Sequence, residues 1–220
     1  MTLPDRHLDL GCGKFPRNPY CRGQLSGIDI RPMPAGLDFD YRDANLVLQP
    51  IPYPDDTFGS VSAFDFIEHV PRILSTADGH DTMFPFVRLM QEVWRVLAPG
   101  GLFYALTPAF PNPEAFVDPT HVNIITDQTH AYFCGSAPMA RMYGFEGRFK
   151  VVRARWVHRA DACSAIAGSP ENRAPPGPLK RVAHGARSVS RWLRGNSQAD
   201  RATYFLWELE AEKQVAVAHR

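Results

Sequence analysis

The strongest constraint on this chain stands near its start, where a short apolar segment runs directly into a Gly-x-Gly turn, residues 7–13 (HLDLGCG). The pattern of two apolar positions around Asp9 is typical of a buried strand that ends in a loop. Gly11 and Gly13 would let the loop press its backbone against a ligand, because any side chain would fill that space. The segment therefore predicts a strand followed by a ligand-binding turn.

A second acidic residue, Asp29, ends the next apolar strand, residues 25–30, twenty residues after Asp9. A carboxylate in that position can accept hydrogen bonds from both hydroxyls of a ribose. The two strands thus indicate a site for a nucleoside-containing cofactor. A dinucleotide is disfavoured, because residues 14–19 (KFPRNP) supply no third glycine and contain two prolines that oppose a regular helix.

Three further segments follow in a fixed order, each joining an apolar run to polar or turn-forming residues. The first is DANL (43–46) followed by PIPYPDDTF (50–58). The second is the strand SVSAF (60–64), which runs into DFIEHV (65–70). The third is the helix LMQEVWRVL (89–97), which ends at APGG (98–101) and is followed by the strand LFYALT (102–107). The helix is predicted from its apolar spacing at i, i+4, i+7 and i+8.

This order resembles the class I S-adenosylmethionine (SAM)-dependent methyltransferases, specifically the methyltransferase type 11-like branch, over about residues 7–145. The resemblance implies an α/β fold with a Rossmann-like, doubly wound, seven-stranded sheet whose last strand is antiparallel. It implies SAM as the cofactor. The prolines after the glycine turn depart from the common pattern, so we expect the first helix to be short or missing.

The resemblance also implies the cofactor contacts. Gly11 and Gly13 would approach the methionine part of SAM, Asp29 would hold the ribose hydroxyls, and Asp43 would accept a hydrogen bond from the adenine amine, with Ala44 beside the ring. Asp9 is expected to orient the glycine loop. The complete expected set is Asp9, Gly11, Cys12, Gly13, Asp29, Ile30, Asp43, Ala44 and Asp65.

Length and composition favour one domain over residues 1–220, since 220 residues with 45% hydrophobic content can bury one good-sized core. The four cysteines show no C-x-x-C spacing, which suits a reducing cytoplasm and gives no support for a zinc site. No apolar run approaches the roughly 18–20 residues that span a bilayer, and the N-terminus lacks a signal-peptide core. We therefore expect a cytoplasmic protein.

Positive charge is concentrated in residues 159–201, which hold eight Lys or Arg against three acidic residues, in a chain whose net charge is +1. We interpret residues 160–200 as a basic, Pro/Gly-rich insertion between the last two strands. Within it, residues 179–194 have the pattern of a basic amphipathic helix, with three possible roles: a solvated face, a lid over the substrate, or peripheral contact with an anionic membrane. Nucleic acid is not favoured as a partner, because the charge is small and no nucleic-acid module is present.

Methyl transfer from a sulfonium needs a positioned nucleophile and, for a hydroxyl or protonated amine, a proton acceptor. The candidates follow the fourth and fifth strands, because ligands bind at the carboxyl ends of strands in open α/β sheets. We predict His69, Asp118 and His121 as catalytic residues, with His121 as proton acceptor or substrate contact, tuned by Asp118. In the competing interpretation, His121 only pins its loop and His69 caps a helix or lines the cleft.

A divalent ion is a second hypothesis at the same place, because Asp65, Glu68, His69 and His121 would form an oxygen and nitrogen ligand set. The layout is similar to the metal-dependent O-methyltransferases of small-RNA 3′ ends and of ubiquinone synthesis, which use a carboxylate-x-x-Glu-His cluster. Asp65 stands where those enzymes have Glu, and its shorter side chain argues against the ion, so a metal is not the favoured cofactor.

The sequence therefore predicts SAM-dependent methyl transfer to an O or N atom of a small molecule or sugar. The loop DPTHV (118–122) resembles bacterial methyltransferases of surface-polysaccharide and secondary-metabolite pathways. The alternatives are a SAM-binding partner or regulatory protein without catalysis, and a metal-dependent O-methyltransferase. The oligomeric state has no signal in the sequence.

Overall fold

The structure is a computed structural model, and it describes residues 2–159 and 202–213. A seven-stranded sheet forms its centre, and a two-stranded ribbon lies outside it. The strands of the sheet are β1 (Arg6–Leu10), β2 (Gln24–Asp29), β3 (Asp40–Asp43), β4 (Phe58–Phe64), β7 (Leu97–Pro108), β8 (Phe149–Val157) and β9 (Tyr204–Ala211), and those of the ribbon are β5 (Leu74–Ser75) and β6 (Thr82–Met83).

The strand order in the sheet is β3-β2-β1-β4-β7-β9-β8. Neighbours from β3 to β7 pair in parallel, whereas β9 pairs antiparallel with both β7 and β8. The predicted α/β fold with an antiparallel last strand is therefore confirmed. Leu10 is level with Ile28 on one side and with Ala63 on the other, so the loops after β1, β2 and β4 leave the sheet at one edge.

The long helix, α1 (Pro85–Val96), covers one face of the sheet. It begins four residues before the predicted helix, because Pro85 at its start supplies a backbone angle that suits a first helical turn. Its inward side chains recur at helical spacing and are all buried, and they are Pro85, Phe86, Leu89, Met90, Val93 and Val96. Together with buried residues of β1, β4, β7 and β9 they form the main core, which holds the sheet edge in place.

The connection from β1 to β2 contains no helix at any of residues 11–23, as expected from its prolines. Instead an irregular loop lies over the other face of the sheet. There Tyr20 packs against a small apolar cluster that includes Phe64 and Tyr104, and the Arg17 guanidinium lies 4.5 Å from the centre of the Phe64 ring. The glycine turn is therefore followed by a proline-rich loop rather than by a helix N-terminus.

Two shorter connections also carry site residues. After β4 the chain forms only a single 3₁₀ turn, Ile67–His69, and after β7 it forms the short helix α2 (Glu114–Val117). Two more 3₁₀ helices, Thr129–Phe133 and Met139–Tyr143, precede β8.

The predicted insertion at residues 160–200 and the basic helix at 179–194 lie outside the described residues. The strands on either side of this segment are both present, and Val157 near its start pairs with Tyr204 near its end. Over the part of the chain that the structure describes, no helix has the length and apolarity needed to span a membrane.

Candidate active site

A cavity of about 440 Å³ opens at the sheet edge where β1, β2 and β4 end. Its volume falls within the range of small-molecule sites, roughly 300–1,000 Å³. The predicted site residues on its wall are Gly11, Asp29, Ile30, Ala44, Asp65 and His69. Ile30 is 64% exposed here, so it offers apolar surface that a ligand could cover.

A slightly larger cavity, of about 490 Å³, lies between the start of α1 and the 3₁₀ helix Thr129–Phe133. Its walls are mainly apolar and aromatic, with Phe84, Phe86 and Tyr132 among them. It contains none of the residues that the sequence predicts for the site, so the smaller cavity is the candidate site in spite of its size.

The glycine turn approaches the cavity with bare backbone. Gly11 has φ of +66°, and a Cβ added to it would stand 2.6 Å from the Phe66 ring. Both observations exclude a larger residue without local rearrangement. Gly13, with φ of +55°, donates its N–H to Asp29 Oδ2 at 3.0 Å, which ties the turn after β1 to the end of β2.

Asp29 is the best-anchored acidic group on the cavity wall. Its carboxylate accepts hydrogen bonds from Gly13 N–H and from the backbone N–H, Nε and an Nη of Arg31 at 2.9–3.1 Å. The Arg31 guanidinium, helped by the backbone donors, holds the pKa of Asp29 below its usual range. Asp29 is therefore ionised at neutral pH, but a ribose would have to share it with Arg31 or displace that side chain.

We therefore expect Arg31→Ala to tighten SAM binding, by at most about fivefold, because an exposed ion pair competes only weakly for the carboxylate. Calorimetric titration with SAM measures the change. Lys14→Ala is the matched control, since it removes an exposed cation from the same side of the molecule without touching Asp29. Weaker binding by the Arg31 variant would instead show that Arg31 holds Asp29 in its binding position.

Four of the predicted cofactor residues do not line the cavity, and they are Asp9, Cys12, Gly13 and Asp43. Asp43 is level with Asp29 on the neighbouring strand and is exposed, so its adenine contact stays a prediction. Ala44 follows it, lines the cavity and donates its N–H to the Asp29 carbonyl at 3.0 Å. Cys12 is buried against Gly27, and burial raises the pKa of its thiol to about 12, so it remains protonated.

Asp9 lies beneath the glycine turn and is 2% exposed. It accepts hydrogen bonds from the Ser62 hydroxyl at 2.6 Å and from Arg17 N–H at 2.8 Å. His7 continues the chain, since its ring nitrogens lie 2.8 Å from the hydroxyls of Ser62 and Ser60. One arrangement of the hydrogen atoms gives each of the four side chains a partner. In it, Ser60 donates to His7 Nδ1, His7 Nε2 donates to Ser62, and Ser62 donates to Asp9.

No sequence motif predicts a role for His7, Ser60 or Ser62. The available signal was the alternation of serines along β4, an otherwise apolar strand that is buried throughout. Burial lowers the pKa of His7 to about 3 and raises the pKa of Asp9 to about 7. The network joins β1 to β4 below the turn, in agreement with an orienting role for Asp9.

We expect the free energy of unfolding of the parent protein to fall, relative to that of Asp9→Asn, by up to about 3 kcal/mol as the pH rises from 5 to 8. Over this range the unfolded aspartate has already lost its proton, whereas the native one keeps it up to a pKa of about 7. Rising pH therefore destabilises the parent but not the asparagine variant. His7 and Glu68 titrate in both proteins and cancel in the comparison.

Urea unfolding at several pH values measures this difference. Asp38→Asn, the same change on an exposed side chain, should follow the parent protein at every pH. A constant difference between the Asp9 variant and the parent would contradict the raised pKa.

Glu68, His69 and His121 form a cluster next to the cavity, which His69 also lines. One potential ligand atom from each of the three side chains lies within 4.8 Å of the other two. Glu68 is only 1% exposed; its Oε2 accepts the Thr107 hydroxyl at 3.0 Å, and its Oε1 has no hydrogen-bond partner. Burial raises the pKa of Glu68 to about 7.

The two histidines stand edge to face with ring centres 4.7 Å apart. His121 Nδ1 lies 3.2 Å from the Ala115 carbonyl, and His69 Nδ1 lies 3.2 Å from the Thr120 carbonyl. A carbonyl only accepts hydrogen bonds, so both Nδ1 atoms carry hydrogen and, in the neutral rings, both Nε2 atoms carry the lone pair.

Asp118 interacts with the two histidines in different ways. Its Oδ1 accepts the Thr120 hydroxyl at 2.6 Å, and that hydroxyl lies 2.9 Å from His69 Nδ1. Its other oxygen, Oδ2, is 4.0 Å from His121 Nε2, beyond hydrogen-bond distance. Asp118 therefore orients His69 through Thr120 and acts on His121 only through its charge.

Asp65 does not join this cluster, so the four-residue ligand set considered as the second hypothesis is reduced to three. It has φ of +49°, and the 3₁₀ turn that follows covers only Ile67–His69. The α-helical spacing that would have placed Asp65 beside Glu68 and His69 is therefore absent. Asp65 lines the cofactor cavity and pairs with Arg159 at 2.8 Å.

Comparison with known proteins agrees with this architecture. Residues 8–105 match the family model described as "Methyltransferase domain". No curated protein matches the chain. Two similar solved structures are SAM-dependent methyltransferases from Archaeoglobus fulgidus (TM-score 0.51, 16% identity, 93% of this chain and 85% of that one) and Mesorhizobium loti (TM-score 0.50, 16% identity, 93% and 90%).

The solved structure of the [4+2]-cyclase SpnF is also similar, with a TM-score of 0.53 and 19% identity. The match covers 95% of this chain and 75% of that one. A fold of this kind therefore does not settle the reaction by itself. The comparisons therefore show that residues 8–105 are similar to a methyltransferase domain and that the fold is shared with SAM-dependent methyltransferases.

Proposed function

We propose that the protein transfers the methyl group of SAM to an oxygen or nitrogen atom of a small molecule or sugar. The observation that carries this proposal is the cluster of Glu68, His69 and His121 beside the cofactor cavity, which His69 also lines. Glu68 Oε1 and the Nε2 atoms of both histidines accept no hydrogen bond from the residues that the structure describes, so each of them can take a proton from a hydroxyl or amine.

The residues on the cavity wall fit the cofactor. Gly11 lines the cavity with backbone alone, since a Cβ there would meet the Phe66 ring, and the ionised Asp29 offers two oxygens to a diol. The exposed side chain of Ile30 and the backbone at Ala44 lie where an adenine ring would follow the ribose. When bound, SAM supplies a methyl group activated by its positively charged sulfur.

The chain's own contribution is to position the acceptor and to receive its proton. We assign proton acceptance to Nε2 of His121, whose Nδ1–H is fixed by the Ala115 carbonyl. This nitrogen would take up the proton of the acceptor, and SAM, when bound, would supply the methyl group that replaces it. His69, held by Thr120, would orient the acceptor.

Incubation with SAM and a panel of sugars, phenols and amines tests the proposal, with methylated product detected by mass and the demethylated cofactor quantified. We expect product with at least one hydroxyl or amine acceptor, and loss of that product in the Asp29→Ala variant. SAM binding without product from any acceptor would instead support the alternative, a binding partner or regulator.

We further propose a cytoplasmic location and a small-molecule or glycan acceptor. The cysteines that the structure describes, Cys12, Cys21 and Cys134, are free thiols, as expected in a reducing compartment. The pathway suggested by the DPTHV loop, surface polysaccharide or secondary metabolite, remains an analogy to be tested with the same acceptor panel.

A further inference from the structure

We propose that Glu68, His69 and His121 bind one divalent transition-metal ion, which holds the acceptor beside the cofactor cavity. The site differs from the set expected from the sequence, because Asp65 is absent from it. Its role in holding an acceptor rests on the proposed function, whereas ion binding itself does not.

The first argument is the spacing of the three side chains. Ligand atoms bound to one ion at about 2.0–2.2 Å lie roughly 3–4 Å apart. The three atoms here already lie within 4.8 Å of one another, although they belong to two separate loops of the chain. Small side-chain rotations are enough to bring all three to a common ion.

The second argument is the unsatisfied oxygen of Glu68. A carboxylate that is 1% exposed normally has hydrogen bonds to both oxygens, because an unpaired polar atom in the interior costs free energy. The Thr107 hydroxyl occupies Oε2, and Oε1 has no hydrogen-bond partner. A cation at Oε1 would satisfy this atom, and neither histidine does so as the side chains stand.

The third argument is the orientation of the histidines. A metal-binding histidine usually donates its other ring N–H to a carbonyl or carboxylate, which fixes the ring and its tautomer. His69 and His121 both do this through Nδ1, to the carbonyls of Thr120 and Ala115. The two lone pairs on Nε2 are thereby left for a shared ion, and an ion bound there would occupy the His121 lone pair that otherwise accepts the proton.

The donor set indicates which ions to expect. Two imidazoles and one carboxylate suit Zn²⁺, Mn²⁺, Fe²⁺ or Co²⁺ better than Mg²⁺, which prefers oxygen ligands. Three protein ligands also leave open positions on the ion. Because His69 lines the cofactor cavity, an acceptor oxygen could occupy such a position close to the methyl donor.

The test uses the full chain, stripped of metal with a chelator and titrated with Co²⁺ while calorimetry and visible absorbance are followed, without SAM or acceptor. We expect one equivalent of Co²⁺ bound by the parent protein, and affinity lowered at least about tenfold in both Glu68→Gln and His121→Gln. His80→Ala, which removes an exposed histidine elsewhere, should bind like the parent.

Binding of the demethylated cofactor serves as the check on folding, and it should remain within a few-fold of the parent in every variant. No Co²⁺ binding by the parent, or binding that survives in both variants, would overturn the proposed site. Failure of the proposed function looks different: no acceptor would be methylated, with or without added ions, whatever the Co²⁺ titration shows.

Discussion

Replacing His121 with alanine should lower turnover by about 10²–10⁴, the usual contribution of a positioned proton acceptor, and leave SAM affinity within a few-fold. The reason lies in its placement: Nδ1 is held by the Ala115 carbonyl, Nε2 lies 4.0 Å from Asp118 Oδ2, and the side chain is only 10% exposed. His121 is not on the wall of the cofactor cavity. The variant should therefore separate chemistry from cofactor binding.

Single-turnover kinetics with saturating SAM measure the change, together with calorimetry for the cofactor. His80→Ala serves as the control for removing a histidine. A chelator distinguishes the two roles of His121: it abolishes activity of the parent protein if the residue is a metal ligand, and has no effect if it acts alone. Full activity of His121→Ala would show that His121 only stabilises its loop, and Glu68 would then be the next candidate for the proton acceptor.

The second large effect is expected at Asp29, where alanine should weaken SAM binding about ten- to a hundredfold. Hydrogen bonds to a charged group are worth about 1.5–3 kcal/mol, and the variant loses the carboxylate that would accept those of the ribose. It also loses the acceptor for Gly13 N–H, which ties the glycine turn to β2.

Calorimetric titration of Asp29→Ala with SAM measures the loss. Asp43→Ala is the informative comparison, because Asp43 stands level with Asp29 on the adjacent strand but is exposed and away from the cavity wall. We expect a smaller effect at Asp43. Equal affinity of Asp29→Ala and the parent would place the ribose elsewhere.

The sheet and its cofactor edge could be predicted because they depend on local patterns. Alternating apolar residues define β1 and β2, and the Gly-x-Gly turn needs backbone angles that few other residues adopt, as Gly11 shows with φ of +66°. The position of Asp29 at the end of its strand then follows from chain order alone. Pro16 and Pro19 were likewise enough to predict that the first helix would be short or missing.

The rest depends on contacts between distant residues, which spacing does not reveal. Whether Asp65 joins Glu68 is decided by one positive φ and a 3₁₀ turn, where the sequence allowed an α-helix. The His7 network requires the register of β1 against β4, which pairs His7 with Ser60 and Asp9 with Ser62. Arg31 was missed because a partner two residues from Asp29 has no characteristic motif.

The pairing of β8 with β9 has a consequence for how enzymes of this build can diversify. The connection between the two strands leaves from Val157 and returns at Tyr204, on the side of the molecule where Arg159 reaches Asp65. Sheet register is fixed by the strands themselves, so sequence added between them leaves the hydrogen-bonded ladder unchanged. Segments of different length and composition can therefore be carried at this position without a change in the sheet.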